Sequence, residues 1–97
     1  MPDHLLSFVT GSDGWVVTIH ADLAGTELLI HQLEVLRDQL LKDDCPHTHL
    51  FSPVSGGDEL TETKLRDQPS ESQQVCHVKI YGWNEEWAKR HGLKPES

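Results

Sequence analysis

The run over residues 22–42 restricts the fold of this chain more than any other. Leu29, Leu33, Leu36 and Leu40 recur at spacings of four, three and four, the interval at which side chains share one side of an α-helix. Asp22 stands where a helix N-cap is wanted, because its carboxylate can accept from the first free backbone N–H groups. The spacing predicts a single helix over 22–42, its leucine ridge lying across a sheet. Leu28 and Val35 flank the ridge on one side, Ile30 and Leu41 on the other. That apolar arc is wider than contact with one sheet requires. One shoulder is therefore free to meet another chain, or to be covered by sheet edges and loops. His31 falls opposite the ridge, in solvent. Asp43-Asp44-Cys45-Pro46 ends the helix, since acids oppose the negative charge of a helix C-terminus.

The flanking segments read as strands. Residues 5–10 and 15–20 are rich in β-branched and aromatic residues, and Gly11-Ser-Asp-Gly14 between them carries an Asp-Gly step, the signal of a hairpin. Trp15, Val17 and Ile19 form the more apolar face of the second strand and are expected on the core. Residues 47–52 alternate, with His47, His49 and Phe51 on one face. Gly56-Gly57 marks a turn, with 58–64 as a short returning strand. Residues 75–81 alternate most clearly: Cys76, Val78 and Ile80 belong on the helix, and His77, Lys79 and Tyr81 on the open side of the sheet. A short final helix follows Asn84, with Glu85 and Glu86 in its first turn, Gly92 as its stop, and Trp83 and Trp87 pinning it to the body. These elements predict an α+β fold: a small, mainly antiparallel sheet of about four strands, one long helix on one face, and a short C-terminal helix. Ninety-seven residues are expected to make a single domain over 1–97. Residues 66–74 have almost nothing to bury and are expected to form a mobile loop, and 93–97 a disordered tail.

Charge narrows the partners. The net charge of −8 argues against nucleic acid and anionic lipid, and for a basic partner or plain solubility. Seven histidines would bring that charge close to neutral if all were protonated. No apolar run reaches the roughly 20 residues needed to span a bilayer, and the N-terminus lacks the basic-then-apolar pattern of a signal peptide. Two cysteines without a CxxC spacing fit free thiols in a reducing cytoplasm.

The densest chemistry lies over residues 47–60, where two histidines on one strand face precede a glycine turn carrying carboxylates. His47 and His49 project together, and His77 joins them if the two strands are neighbours. Three neutral imidazoles with an open position are the ligands of some catalytic zinc sites. No fixed motif such as HExxH is present, so metal binding, or a metal-dependent enzyme, remains the alternative and no cofactor is expected. Cys76 and His77 point to opposite faces of a strand, and Cys76 reads as a small core hydrophobe. Cys45 near His47 has no evident orienting third group. Non-catalytic binding is the expected role, with a homodimer module as a further option resting on the wide arc of the helix.

Four motifs carry a resemblance: Asp22-Leu-Ala-Gly25, His47-Thr-His-Leu50, Gly56-Gly-Asp-Glu-Leu60 and His77-Val-Lys-Ile-Tyr81. In these, over residues 15–83, the chain resembles the immunity protein 32 family of bacterial polymorphic toxin systems. Where sequences of that family tend to carry an aromatic before the paired glycines, this chain has Val54-Ser55. The resemblance implies a small cytoplasmic α+β protein that binds and neutralises a cognate toxin, and it supplies no established functional residues. Acids at 43–44, 58–62 and 85–86 suit a basic, nuclease-type toxin. The expected contact surface is the open sheet face with the glycine turn: His47, His49, Asp58, Glu59, Glu62, His77, Lys79 and Tyr81.

Overall fold

The computed structural model describes residues 4–42, 45–62 and 72–95. In chain order the elements are β1 (Leu6–Thr10), β2 (Val17–Ala21), α1 (Leu23–Leu41), β3 (His47–Phe51), β4 (Gln73–Gln74), β5 (His77–Tyr81) and α2 (Glu85–Arg90), with a single 3-10 turn at Pro53–Ser55. The fold is α+β, as the periodicities predict. Its strands divide into two antiparallel sheets, ordered β2-β1-β4 and β3-β5, rather than forming one sheet of about four.

The β1–β2 hairpin sets Phe8 opposite Ile19 and Leu6 opposite Ala21. The chain then enters α1 through a compact joint. Asp22 Oδ1 accepts from Leu5 N at 3.0 Å and from Gly25 N at 2.7 Å, while Asp22 N donates to Leu5 O at 3.1 Å. One carboxylate thus caps the helix and anchors it to the start of β1. Gly25 is the residue that fits there, because a Cβ would lie 1.8 Å from Leu5 O and 2.7 Å from Leu5 C.

That joint fixes the roll of α1. Gly25 and Leu36 are buried, and Leu29, Gln32 and Leu40 are half-buried. Leu33, expected in the ridge, is 44% exposed, and Gln32 takes the sheet-facing place, accepting from Thr48 Oγ1 at 2.9 Å. The shoulder of Ile30 and Leu41 stays exposed, as does Val35. The core is small: Leu6, Phe8, Leu50 and Leu60, with Leu28, Leu29, Val75 and Val78 packed around them. Thr61 N donates to Leu6 O (2.7 Å), tying the loop after β3 to β1, while Val75 N to Phe8 O (2.8 Å) and Ser52 N to Cys76 O (2.9 Å) carry the β1–β4 and β3–β5 pairings one residue further.

Other expectations need correcting. Val17 and Ile19 lie on the same face as Leu6 and Phe8, but they are 55% and 49% exposed, and Trp15 is 87% exposed. They sit on the edge strand, while α1 runs from its joint at Leu5 towards β3. No strand returns over residues 58–62. Gly56, with φ of 89°, closes the 3-10 turn, and a Cβ on Gly57 would lie 2.4 Å from Phe51 Cβ, so the loop folds back onto β3 and Leu60 N donates to Phe51 O. Residues 63 and 64, and 66–71 of the predicted loop, lie outside the described residues. Gln73–Gln74, within that loop, pairs with Val9 and Thr10 as a strand. In the predicted tail, Leu93 N donates to Ala88 O and Lys94 pairs with Glu85; residues 96–97 are not described. Cys45 and Cys76 are free thiols. No described helix is long and apolar enough to cross a membrane.

Replacing Gly25 by Ala tests the joint. Helix propensity alone would favour alanine by about 1 kcal/mol. The clash with the Leu5 carbonyl opposes it, with an expected net loss on the order of 3 kcal/mol, read from urea denaturation. Unchanged stability would show that the helix does not rest on Leu5.

Candidate functional site

β3 and β5 are both five-residue strands with strict alternation, so each has an inner and an outer face. Their antiparallel register sets His47 opposite Tyr81, His49 opposite Lys79, and Phe51 opposite His77. These six side chains therefore share one face, the one turned away from α1. Leu50 and Ser52, on the inner side, are fully buried. Of the expected contact residues, His47, His49, His77, Lys79 and Tyr81 are brought together here.

The rings on this face form an unbroken chain. Phe51 stacks on His77 with centroids 4.3 Å apart, and His77 neighbours His49 at 5.0 Å. His49 meets His47 edge-on at 5.0 Å, and His47 leans on Tyr81 at 5.6 Å. Tyr81 leads on to Trp83, Trp83 to His91, and His91 to Trp87, where the Arg90 guanidinium lies 5.1 Å over the indole. By sequence Phe51 shares the face of His47 and His49, and Tyr81, Trp83 and Trp87 are contact anchors if exposed, but Phe51 and His91 are not among the expected contact residues. Phe51 follows His49 by two on the strand, and His91 follows Trp87 by four, so both spacings carried the signal. Trp87, expected to close the core, is 42% exposed; Ala88 is the buried residue of α2.

At the centre of the face His49 Nδ1 and His77 Nε2 lie 2.8 Å apart. With ring centroids 5.0 Å apart, the nitrogens lie between the rings, so the imidazoles meet edge to edge rather than face to face. One nitrogen donates and the other accepts, which requires at least one neutral ring. Desolvation, and then the charges of His47, His77 and Lys79, hold the His49 imidazole below its ordinary value of 6.5. His47 shares the face without closing a third ligand position. No group of three His, Cys, Asp or Glu among the described residues is placed to hold a metal ion.

The acids divide between roles. Asp58 is exposed beside the Phe51 end of the face. Glu59 is half-buried: its Oε2 accepts from Asp58 N at 2.8 Å, and its carbonyl contacts His4 Nε2 at 2.6 Å. Glu62 Oε1 accepts from Val54 N at 3.1 Å. Glu59 and Glu62 therefore fix the loop as well as charging it. At the opposite end Glu86 pairs with Arg90 at 2.7 Å, and Glu85 with Lys94. Residues 77–95 carry four basic side chains against two acidic ones, so the α2 end is not the acidic patch that Glu85 and Glu86 suggest in the sequence. Residues 43 and 44 lie outside the described residues.

No protein-family model matches the chain, and neither a curated protein nor a solved structure does.

The imidazole pair has a definite pH signature. Because folding lowers the His49 value, its contribution to stability is complete above pH 6.5 and is lost as pH falls through the folded value. NMR titration should find the His49 midpoint below 6.5, and His77→Gln should raise it by removing one of the neighbours that lower it. A midpoint at or above the ordinary value would contradict this arrangement.

Proposed function

We propose that the protein is a non-catalytic immunity protein that binds and neutralises a cognate bacterial toxin through the outer face of β3 and β5. The observation that carries this reading is the ring chain. Five aromatic or imidazole side chains stand side by side on a two-stranded ribbon whose other face is occupied by α1 and the core. Tyr81 is 53% exposed, and large rigid side chains on an accessible face supply contact area at low entropic cost. The rings lean on one another, and four of the five, three imidazoles and a phenol, carry hydrogen-bonding atoms. That arrangement suits the patterned, hydrogen-bonding surface of a folded protein. The four motifs of the immunity-protein resemblance support the same reading, since three of them build this face and its flanking loop.

Charge shapes the partner. Asp58, Glu59 and Glu62 sit at one end of the face and Lys89, Arg90 and Lys94 at the other, on a chain of net charge −8. A basic toxin is drawn by the overall charge and oriented by the gradient along the ribbon, with its most basic patch at the glycine turn. Association then slows as salt screens the attraction.

Co-expression with each protein encoded beside this one tests the reading, scored by rescue of growth and by a stoichiometric complex. Within that complex Tyr81→Ala should weaken binding at least tenfold, in keeping with the ~2 kcal/mol typical of an anchor residue, while leaving the fold intact by circular dichroism. Asp58→Lys should slow association mainly at low salt. Full rescue with both substitutions in place would remove the face from the contact.

A further inference from the structure

The open edge of the other sheet carries an inference independent of the toxin reading. Among the described residues β2 has a strand neighbour on one side only, β1. Its inward positions are fixed by two main-chain bonds: Val16 O accepts from Gly11 N at 3.2 Å, and Asp22 N donates to Leu5 O at 3.1 Å. Backbone groups alternate in direction along a strand. Thr18 and His20 therefore address β1 with Val16 and Asp22, while Val17, Ile19 and Ala21 turn their N–H and C=O groups away from it. The side chains of these same three residues lie on the Leu6 and Phe8 face, and Val17 and Ile19 remain about half exposed.

Sheet edges of this kind are normally blunted by a charge, a proline or a bulge, because bare strand edges pair with one another. The strand Val17-Thr-Ile-His-Ala21 has no charged residue and no proline. Its pattern is also self-complementary. An antiparallel copy placed about a two-fold axis at Ile19 sets Ile19 against itself and Val17 against the second copy's Ala21. All three facing pairs then have outward backbone groups, giving about six main-chain hydrogen bonds. Just beyond the two ends of the strand lie Trp15, 87% exposed, in the turn before it, and Leu23, 75% exposed, at the start of α1. The Trp15 end of one copy thus lies by the Leu23 end of the other. Trp15, Val17, Ile19 and Leu23 together expose on the order of 500 Å² per copy, against about 800 Å² per partner in a standard-size interface, and the paired backbones add to it.

We infer that the protein forms a two-fold dimer through β2, joining two three-stranded sheets into one of six. The outer face of β3 and β5 is left free, because those strands attach on the other side of β1, where Leu6 and Phe8 accept from Thr61 and Val75.

Sedimentation velocity over a wide range of concentration tests the dimer, together with two variants. Ile19→Lys should yield a monomer with an unchanged circular dichroism spectrum. Ile19→Cys, in a Cys45→Ser background, should cross-link two copies on oxidation, because a hydrogen-bonded pair on the axis has Cα atoms about 5.5 Å apart, within disulfide reach. Thr18→Cys, on the opposite face and off the axis, should not cross-link. A native protein that stays monomeric throughout, or a dimer that persists in Ile19→Lys, overturns the proposal. If that variant fails to fold, the contrast between the two cysteine variants decides: cross-linking at both or at neither also overturns it.

Discussion

The carboxylate of Asp22 holds the architecture at its narrowest point. It accepts from Leu5 N and Gly25 N together, so the end of a hairpin and the start of a helix share one oxygen. Two backbone bonds to the same atom, the first cause being Leu5 and the second Gly25, also keep its acid strength above that of an ordinary aspartate. The absent side chain of Gly25 lets the helix close onto the Leu5 carbonyl, and the direction of α1 follows. Gln32 then faces Thr48, Leu36 is buried, and β3 and β5 are covered from one side only. The side left open is the one with the chemistry.

Two surfaces come from this arrangement, and they differ in kind. The β3–β5 face is built from rings with polar edges, and its character changes along its length from acidic loop to basic helix. The β2 edge is apolar and turns the backbone groups of Val17, Ile19 and Ala21 away from β1. On the proposed reading, the first would discriminate among partners, because hydrogen-bonding groups and a charge gradient penalise a wrong surface. The second, on the proposed dimer, would recognise the backbone of a second copy.

Local periodicity made most of the elements legible. The α1 boundaries, the hairpin, the α2 N-cap at Asn84 and the alternation of β3 and β5 all follow from spacings of two, three or four residues. The meeting of His49 with His77 was legible only as a conditional, since it needs a register between strands that lie far apart in the chain. The roll of α1 was not legible: Leu33 looks as apolar as Leu36, and the contact that turns it outward is between Gly25 and a distant carbonyl. Gln73–Gln74 reads as polar loop because β1 recruits it through main-chain bonds, which leave no trace in side-chain pattern. Glu85 and Glu86 looked like an acidic patch, although the spacing of four from Glu86 to Arg90 already announced one of the two pairings.

The separation of the paired segments also bears on how the molecule assembles. The β1–β2 hairpin and the helix that follows it close short loops, and the Asp22 joint spans only 17 residues back to Leu5. The β3–β5 ribbon joins residues 28 apart at its centre, His49 and His77. Longer loops cost more entropy to close, and contacts of this reach form late. The ring-bearing face thus forms after the hairpin and helix, though the β1–β4 pairing, which joins Val9 to Gln74, closes a longer loop still. The ring-bearing face cannot exist until residues through Tyr81 have left the ribosome, so a nascent chain can acquire its helix and hairpin well before this face is complete.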